Sequence, residues 1–588
     1  MDTDKKLSND IERLLPVLEE HFGKLDDEVI SKIYSTLNYD EMHYADGKTI
    51  EISDKISLAN FIADVLDIQF TDSSDLENEG MENANEVEYD IESDIEATEE
   101  LKDNRAFKIL WGLLKDLPFL TIVTEYYYVD RVYRDSYYTH YSGKHFEYSR
   151  YCKRIFIFEG NITSQYNCEI SSIPTDVLEK SFIGYVVLRP LDFGKIGRTL
   201  LNPVYFRESK DAYIRYAEYD ATMFGKRLKI KAFPYSMQDE ETTSCAEITI
   251  INLLDYFSKR YAEYKYLLPS DIIAIALRNS YERKLPTKGL DYQLISKVFM
   301  EAGFYPVLYN VTRMTDSSKF KRILHYYIES GIPIAVGVDV NADLRHSIIC
   351  VGHGEMDKDR IGTKLYSIQD EYDENHRMWI IDSADTVFQY IVMDDHVKPY
   401  SKYEWVEGRV DKFGPYMPEN ILVPLYKRMF LEASDAYDIC TSVLVDHDFG
   451  IQRVVPDIGT IDNPFIIRLF MASARGLKRN RIESFGERNA QVREYYINTP
   501  FPRFVWVCEL YLTEDYPDKC IGEIIVDATA APNAKSGSVI ILHYPNTILF
   551  KLPTENSSLR DRHFLKVEEW EKFDGYRGNL HVPEKNIK

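Results

Sequence analysis

The chain has 588 residues, of which 45% are apolar and 28% are charged, and its formal net charge at pH 7 is −26. Because one hydrophobic core does not organise a chain of this length, three or four domains are expected. The large negative charge argues against a surface that binds nucleic acid in general, since phosphates are bound by Lys and Arg.

The cysteines and the apolar segments bear on the cellular compartment. Seven cysteines are spread along the chain without a pattern, which predicts free thiols in a reducing cytoplasm rather than a disulfide framework. No apolar run reaches the roughly 20 residues that span a bilayer, and the first residues lack the apolar core of a secretory signal. We therefore expect a cytoplasmic protein with no membrane partner, whose oligomeric state the sequence does not indicate.

The first hundred residues divide into two segments. Residues 1–70 are predicted to form an N-terminal helical module, with helices near residues 11–22 and 27–37. Residues 71–103 are predicted to be an acidic linker, because thirteen acidic residues and no Lys or Arg lie between Asp72 and Glu100. Such a composition is typical of a disordered segment, and an inhibitory or pseudo-substrate segment is the alternative.

Residues 104–229 are predicted to form a Tyr-rich, strand-rich domain. A short helix near residues 107–114 precedes runs of β-branched and aromatic residues that are typical of strands. These runs lie at 119–128, 154–159 and 183–190. Basic and aromatic residues interleave between Tyr126 and Lys153, a pattern that can stack nucleobases. Tyr packing on a sheet is the preferred interpretation, so a nucleic-acid partner is not expected.

Residues 426–588 are predicted to form a C-terminal α+β domain. It begins with a helix near 431–443 and a second helix over 465–477, and four strands follow. The predicted strands are 503–512, 522–527, 538–543 and 547–551. A cluster of basic residues is interpreted as a solvated helix face, with docking of an acidic partner as the alternative. Its members are Arg468, Arg475, Lys478, Arg479 and Arg481.

A predicted helix within residues 230–425 carries a candidate nucleophile. Apolar residues at Ile250, Leu253, Leu254 and Phe257 have the i, i+3, i+4, i+7 spacing of a buried helix face. Ser244 and Glu247 form a capping-box pattern, which predicts that the helix begins at Cys245. A thiol there lies at the positive end of the helix dipole, which favours the thiolate. The dipole contributes only about 0.3–1 kcal/mol, so a base is also needed.

Three further residues are candidates for the chemistry that Cys245 requires. Helices are predicted before a set of strands in this block, which indicates an α+β domain with a cleft between its halves. His346 follows a turn between two apolar strands and is the candidate base. Asp382 ends the strand 378–381 and can orient the imidazole, with Asp385 as a substitute and Asp339 as a weaker one. Gln238 can donate its amide to the oxyanion, beside the backbone N–H of Cys245.

A zinc site is not predicted in this region. His346 and Cys350 share one face of a strand, but His353 lies on the other face, and no Cys-x-x-Cys pair is present. No metal and no cofactor are expected.

The ordered set of motifs in this block resembles a known enzyme superfamily. Gln238, then Cys245-Ala-Glu, then His346-Ser-Ile-Ile-Cys-Val-Gly, then Trp379-Ile-Ile-Asp382 is similar to the papain-like cysteine peptidases. Over about residues 230–410 it is most similar to their double-glycine leader peptidase-like branch. The resemblance implies a central papain-like domain, with a nucleophile helix packed against an antiparallel sheet. It also implies that Cys245 is the nucleophile, His346 the base and acid, Asp382 the orienting acid and Gln238 the oxyanion donor.

The sequence departs from that branch at three points. Gln238 precedes Cys245 by seven residues rather than six, and Ala246 stands where the branch often has Gly. A charged insertion, residues 355–376, separates His346 from Asp382.

Several functions are compatible with these residues. The preferred one is an intracellular thiol hydrolase, a cysteine peptidase or isopeptidase that attacks a protein or peptide substrate through a thioester. The same triad can serve a transglutaminase, a deamidase or an acyltransferase. A catalytically inactive scaffold that binds a protein partner is the second hypothesis, and a nucleic-acid module at 126–153 is the third. The expected fold class is α+β and multidomain, with domains 1–70, 71–103, 104–229, 230–425 and 426–588.

Overall fold

The structure is a computed structural model that describes most of the chain. The described residues are 48–67, 104–192, 194–206, 208–311, 314, 317–341, 344–371, 373, 376–408, 410–485, 490–550, 563–567 and 570–586. The helices predicted near 11–22 and 27–37 and the acidic segment 71–103 lie outside these residues.

The described residues form a mixed α+β fold. The helices are α1 (Lys55–Val65), α2 (Arg105–Leu114), α3 (Arg131–Thr139), α4 (Ile162–Tyr166), α5 (Thr175–Ser181), α6 (Cys245–Arg260), α7 (Pro269–Arg278), α8 (Tyr292–Glu301), α9 (Ser317–Glu329), α10 (Ala433–Val445), α11 (Ala474–Ser484) and α12 (Ala490–Asn498). None of the helices in the described ranges is both long and apolar enough to cross a membrane.

Strands connect these helices along the chain. Those before residue 350 are β1 (Lys48–Ile52), β2 (Leu120–Tyr128), β3 (Cys152–Glu159), β4 (Phe182–Leu188), β5 (Leu200–Leu201), β6 (Tyr213–Ile214), β7 (Ala217–Met223), β8 (Lys226–Ala232), β9 (Val307–Asn310), β10 (Ile334–Asn341) and β11 (Leu344–His353). The later ones are β12 (Tyr366–Gln369), β13 (Arg377–Asp382), β14 (Gln389–Met393), β15 (Ser401–Val406), β16 (Lys412–Phe413), β17 (Met417–Val423), β18 (Phe465–Ser473), β19 (Phe504–Leu512), β20 (Lys519–Cys520), β21 (Gly522–Asp527), β22 (Val539–Tyr544), β23 (Thr547–Phe550), β24 (His563–Lys566) and β25 (Phe573–Asp574).

The described residues divide into two compact units, one before residue 200 and the other from residue 200 onward. The first unit holds an antiparallel sheet in the order β1-β2-β3-β4. Strand β1 joins this sheet through its pairing with β2, so the prediction that residues 1–70 are a separate helical module is wrong for 48–52. The strand-rich character predicted for the Tyr-rich segment agrees with β2, β3 and β4, although α3 also lies within it.

The second unit contains the sheet that carries the candidate site. Its strands follow the order β16-β15-β14-β11-β10-β17-β9, every neighbouring pair is antiparallel, and β6 adds to β11. We call it the His346 sheet, because His346 lies in its strand β11. Since β6 pairs with β11, residues 200–229 belong to this unit and not to the Tyr-rich domain as predicted.

A second large sheet of this unit crosses a predicted domain boundary. Its order is β12-β13-β18-β19-β21-β22-β23-β24, and β13 pairs with β18 in parallel. Strands β12 and β13 come from the predicted central domain, whereas β18 and its later neighbours come from the predicted C-terminal domain. The boundary at 425/426 is therefore wrong, because hydrogen bonds of one sheet continue across it.

One element of the C-terminal region differs in type from its prediction. Residues 465–473 form β18, and the helix begins only at Ala474, whereas a helix was predicted over 465–477. Eight of the nine residues of β18 are at least half-buried, so the run is apolar on both faces. A short apolar run does not distinguish a buried strand from a buried helix by its periodicity alone.

Candidate active site

The helix α6 begins at Cys245, as the capping pattern predicts. Ser244 caps it, and the backbone N–H of Ser244 donates to the Glu247 carboxylate at 3.1 Å. Thr287 donates to the other oxygen of Glu247 at 2.8 Å, which fixes this acid within the protein. Cys245 is therefore held on the first residue of a 16-residue helix, where its side chain is partly exposed.

Burial of α6 fixes the position of its first residue. All four residues of the predicted apolar stripe are fully buried. The helix packs against β11, and the hydroxyl of Thr249 donates to the carbonyl of Ser347 at 3.2 Å. Ser347 is the neighbour of His346, so this contact brings the start of α6 close to the candidate base.

The side chains of Cys245 and His346 lie beside each other, and the thiol contributes to a raised pKa of the imidazole. His346 is 3% exposed and lies in β11. Its Nε2 atom is 2.8 Å from Oδ1 of Asp394, which leaves Nδ1 of the ring for the sulfur of Cys245. One imidazole thus lies between the Cys245 thiol and the Asp394 carboxylate.

Asp394, and not Asp382, accepts the hydrogen bond of His346. Asp394 directly follows β14, which pairs with β11 in the His346 sheet. Its carboxylate is fully buried and accepts two further hydrogen bonds, from the backbone N–H of His396 at 2.9 Å and the hydroxyl of Tyr403 at 2.6 Å. These donors hold the carboxylate in place, so the imidazole that it contacts is also fixed in orientation.

The prediction that Asp382 orients His346 is wrong, because the strand that ends in Asp382 lies in a different sheet from His346. Asp382 ends β13, which belongs to the second large sheet and pairs there with β18. Its carboxylate accepts hydrogen bonds from the Tyr326 hydroxyl and from the backbone N–H of Ala384. Burial raises the pKa of Asp382 to about 6, although the charge of Arg322 opposes this. The side chain therefore caps a turn in the interior of the protein.

A sequence signal for Asp394 exists but is ambiguous. The apolar strand β13 ends in Asp382, the apolar strand β14 is followed directly by Asp394, and β13 comes first in the chain. The charged insertion 355–376, which contains β12, and the strand β13 both lie between β11 and β14 in the chain. Only the sheet order shows that β14 is the neighbour of β11.

The charges of the site favour a protonated imidazole. Burial lowers the pKa of His346, but the charge and hydrogen bond of Asp394, the neighbouring Cys245 thiol and the nearby Asp395 together raise it well above its usual value. Burial raises the pKa of Asp394, but the charge and hydrogen bond of His346 lower it well below its usual range. A cation beside the sulfur is the setting in which cysteines act as nucleophiles.

Gln238 lies at the edge of the same group of residues. Its backbone N–H donates to Oδ2 of Asp395 at 3.1 Å, and its side-chain nitrogen is 3.4 Å from Nε2 of His396. Downstream of it, the carboxylate of Asp239 accepts three backbone N–H groups, including those of Thr242 at 2.8 Å and Thr243 at 2.7 Å. This turn accommodates the seven-residue spacing and brings Gln238 to the site, with its amide directed at His396.

His346, Asp395 and His396 offer potential metal-ligand atoms within 4.8 Å of one another. The His346 and His396 rings are stacked, however, with centroids 4.0 Å apart and planes within 6° of parallel. A zinc ion bound by two imidazoles lies about 2.0–2.1 Å from each nitrogen, in the plane of each ring. Two parallel planes at this separation share no such point, so the arrangement favours ring packing over metal binding.

His353 and Cys350, the other two residues considered as metal ligands, make contacts away from Cys245. His353 is buried, and its Nε2 atom lies 3.0 Å from the carboxylate of Glu329. Burial raises the pKa of the Cys350 thiol, which is 0% exposed. Neither side chain is directed at Cys245 in these contacts.

No protein-family model and no curated protein matches the chain.

Proposed function

We propose that the protein is a thiol hydrolase, a cysteine peptidase or isopeptidase, with Cys245 as nucleophile, His346 as general base and acid, and Asp394 as the orienting acid. The observation that carries this proposal is the single imidazole that lies beside the Cys245 thiol and contacts the Asp394 carboxylate at 2.8 Å. The nucleophile helix α6 on the antiparallel His346 sheet also supports a papain-like arrangement.

The reaction follows from the positions of these groups. The Cys245 sulfur adds to the carbonyl carbon of an amide, and the negative charge moves to the carbonyl oxygen. Backbone N–H groups at the start of α6 stabilise this oxyanion, because they have no partner within the helix. His346 gives its proton to the leaving amine, the C–N bond breaks, and a thioester remains.

Hydrolysis of the thioester regenerates the enzyme. Neutral His346 takes a proton from a water molecule, which attacks the thioester carbonyl. The C–S bond breaks, a carboxylic acid leaves, and the proton returns to the Cys245–His346 pair. Gln238 is positioned to contribute to the oxyanion site only if its amide turns from His396 toward Cys245, so its role is the least constrained of the four predicted residues.

Selective alkylation of Cys245 tests the proposal, and the chain offers a matched control. Cys168 and Cys245 are both partly exposed, whereas the other five cysteines are buried. We expect iodoacetamide at pH 7 to label Cys245 much faster than Cys168, since the His346 imidazolium lies beside Cys245. Mass spectrometry of the labelled peptides measures both rates in one sample. Equal rates at the two cysteines would contradict an activated thiol.

Turnover is tested in a lysate of the native host. Wild-type protein is expected to create new peptide termini, while Cys245→Ala creates none and Cys168→Ala behaves as wild type. An activated Cys245 without new termini would instead favour transfer chemistry, such as transamidation or deamidation. An unreactive Cys245 would leave the inactive scaffold that binds a protein partner.

A further inference from the structure

A second carboxylate lies at the imidazole of His346, next to Asp394 in the chain. Asp395 is 5% exposed, and its Oδ1 atom is 3.4 Å from Nε2 of His346. Oδ1 of Asp394 is closer to the same nitrogen, at 2.8 Å, so Asp394 alone accounts for the orientation of the imidazole. The triad therefore leaves a buried acid beside the base without a role.

The other oxygen of Asp395 contacts the residue predicted to stabilise the oxyanion. Oδ2 of Asp395 accepts the backbone N–H of Gln238 at 3.1 Å. Among the residues that the structure describes, no other group donates a hydrogen bond to this carboxylate. A buried carboxylate is costly without a donor, so this contact is favoured in the folded protein. One side chain thus faces the base with Oδ1 and holds Gln238 with Oδ2.

The contact with Asp395 fixes the backbone of Gln238 and does not involve its side chain. The amide nitrogen of Gln238 lies 3.4 Å from Nε2 of His396. The His396 ring is in turn stacked on that of His346, with centroids 4.0 Å apart, so the amide is held near the base. Rotation of the amide toward Cys245 breaks its contact with His396 and leaves the one with Asp395 intact.

The two segments that meet at this contact are also anchored elsewhere. The hydroxyl of Tyr235 donates at 2.8 Å to the backbone carbonyl two residues after Asp395. The hydroxyl of Ser236 donates at 3.1 Å to the side chain of Asn252 in α6. Because these anchors do not depend on Asp395, its loss is expected to shift Gln238 locally rather than to unfold the protein.

We propose that Asp395 is a positioning residue that joins the base to the oxyanion donor. By holding the backbone of Gln238 beside His346, it keeps the amide within reach of the carbonyl oxygen when the Cys245 sulfur attacks. A misplacement of about 1 Å in such a group costs on the order of 10²-fold in rate. The inference rests on the proposed function, since an oxyanion forms only if Cys245 attacks a carbonyl.

Two small electrophiles separate the oxyanion site from the reactivity of the thiol. Iodoacetamide alkylates Cys245 with loss of iodide, and no oxyanion forms. With 4-nitrophenyl acetate the sulfur adds to the ester carbonyl, whose oxygen becomes an anion. The C–O bond then breaks, 4-nitrophenolate leaves, and a thioester remains. The ratio of the acylation rate to the alkylation rate therefore reports the oxyanion site, because a change in the amount of thiolate affects both rates alike.

Both rates are measured on the full-length chain. Mass spectrometry of the Cys245 peptide gives the alkylation rate. Release of 4-nitrophenolate gives the acylation rate, after subtraction of the release by Cys245→Ala. Circular dichroism of each variant shows that it is folded.

Loss of the Gln238 contact is expected to lower the ratio of acylation to alkylation. Asp395→Ala is expected to lower it at least about tenfold, and Gln238→Ala at least as much, because the amide is displaced or removed. Asp395→Ser, whose hydroxyl is too short to reach Gln238, is expected to give the same low ratio, so the test does not depend on one variant. An unchanged ratio in the Ala and Ser variants would overturn the proposal.

A double variant shows whether Asp395 acts through Gln238. If it does, the ratio in Asp395→Ala with Gln238→Ala is about the same as in Gln238→Ala alone, because no amide is left to misplace. Losses that multiply in the double variant would mean that Asp395 acts on its own, and they would overturn the proposal.

The variant Asp395→Asn is the conservative control. Asn keeps an oxygen that can accept the Gln238 N–H and removes the charge beside His346. Loss of that charge slows both reactions alike, because both need the thiolate, so the ratio is expected to stay close to that of wild type. A ratio as low as that of Asp395→Ala would show that the Gln238 contact is not what matters.

The same measurements distinguish failure of this inference from failure of the proposed function. If wild-type Cys245 is alkylated no faster than Cys168, the proposed function and the role of Asp395 are both wrong. If Cys245 is activated and acylated, but Gln238→Ala leaves the ratio unchanged, the proposed function stands and the role of Asp395 is wrong.

Discussion

Two aspartates that look alike in the sequence have different surroundings in the fold. Asp394 contacts His346 at 2.8 Å, while Asp382 accepts hydrogen bonds from Tyr326 and a backbone N–H. Both are fully buried, so burial does not distinguish them. What distinguishes them is the sheet to which the preceding strand belongs.

Substitution of each aspartate by asparagine separates their roles. Asp394→Asn is expected to slow Cys245 alkylation and turnover by about 10²- to 10⁴-fold, the usual range for loss of a positioned acid–base group. The reason is that the imidazolium loses its negative partner. Asp382→Asn is expected to leave the alkylation rate at Cys245 unchanged. Rates of labelling at pH 7 measure both, and equal losses in the two variants would contradict the assignment.

The His346–Asp394 pair predicts a pH window for stability. Folding raises the pKa of His346, so its contribution is complete below its unfolded value of about 6.5 and is lost as pH rises through the folded pKa. Folding lowers the pKa of Asp394, so its contribution is complete above about 3.9 and is lost as pH falls through the folded pKa. The pair therefore stabilises most between about pH 4 and 6.5.

Urea unfolding of wild type and Asp394→Asn measures this window. The difference in unfolding midpoint between the two proteins is expected to be larger at pH 5 than at pH 9, because the imidazolium is lost at high pH. Asp359→Asn, at an exposed acid, serves as the control and is expected to show no such change. A difference that grows from pH 5 to pH 9 would contradict a raised pKa of His346.

At the scale of elements, α11 shows why a cluster of basic residues is not one surface. Arg481 is fully buried and contacts Glu509 at 2.6 Å and Glu523 at 2.7 Å. Arg468 lies in β18 and joins the same network through Glu509 and Glu329. Only part of the predicted solvated face is exposed, since two of its five cations are structural.

Alanine substitution of one buried and one exposed Arg of α11 measures how much each contributes to stability. Arg481→Ala is expected to lower the free energy of unfolding by about 3–5 kcal/mol, because Glu509 and Glu523 lose a buried counter-charge. Arg479→Ala, on the exposed side of the same helix, is expected to change it by less than about 0.5 kcal/mol. Urea unfolding of both variants gives the comparison. Similar losses for both would mean that the network carries little stability.

At the scale of the whole molecule, the unit that carries the candidate site continues past residue 425, where the predicted central domain ends. The parallel pairing of β13 with β18 and the Arg468–Glu329 ion pair at 2.5 Å both cross residue 425. Removal of residues 426–588 leaves an open edge on β13 and a buried Glu329 without its Arg partner. An open apolar edge promotes aggregation, and an unpaired buried charge destabilises the fold.

Expression of two fragments tests this interpretation. A fragment of residues 200–588 is expected to unfold in a cooperative transition, whereas a fragment of residues 230–425 is expected to show none. Circular dichroism with heating distinguishes them. Cooperative melting of the shorter fragment would show that the predicted boundary is a true domain limit.

Local patterns in the sequence were sufficient for some features of this protein. The capping box and the apolar spacing identified the start of α6 at Cys245, because both depend on residues within one or two turns of a helix. The turn before His346 and the apolar strands around it identified β11 in the same way. The class of mixed α+β structure also follows from such short-range patterns.

Only the tertiary structure decided which acid meets His346 and where the second unit ends. Both depend on the order of strands in a sheet, and strand order is set by contacts between residues far apart in the chain. Neither hydrophobic period nor turn chemistry encodes that order, so the sequence predicted Asp382, and only the pairing of β14 with β11 places Asp394 beside His346. Cys245 and His346 were predictable one by one, whereas Asp394 as the partner of His346 was determined only by folding.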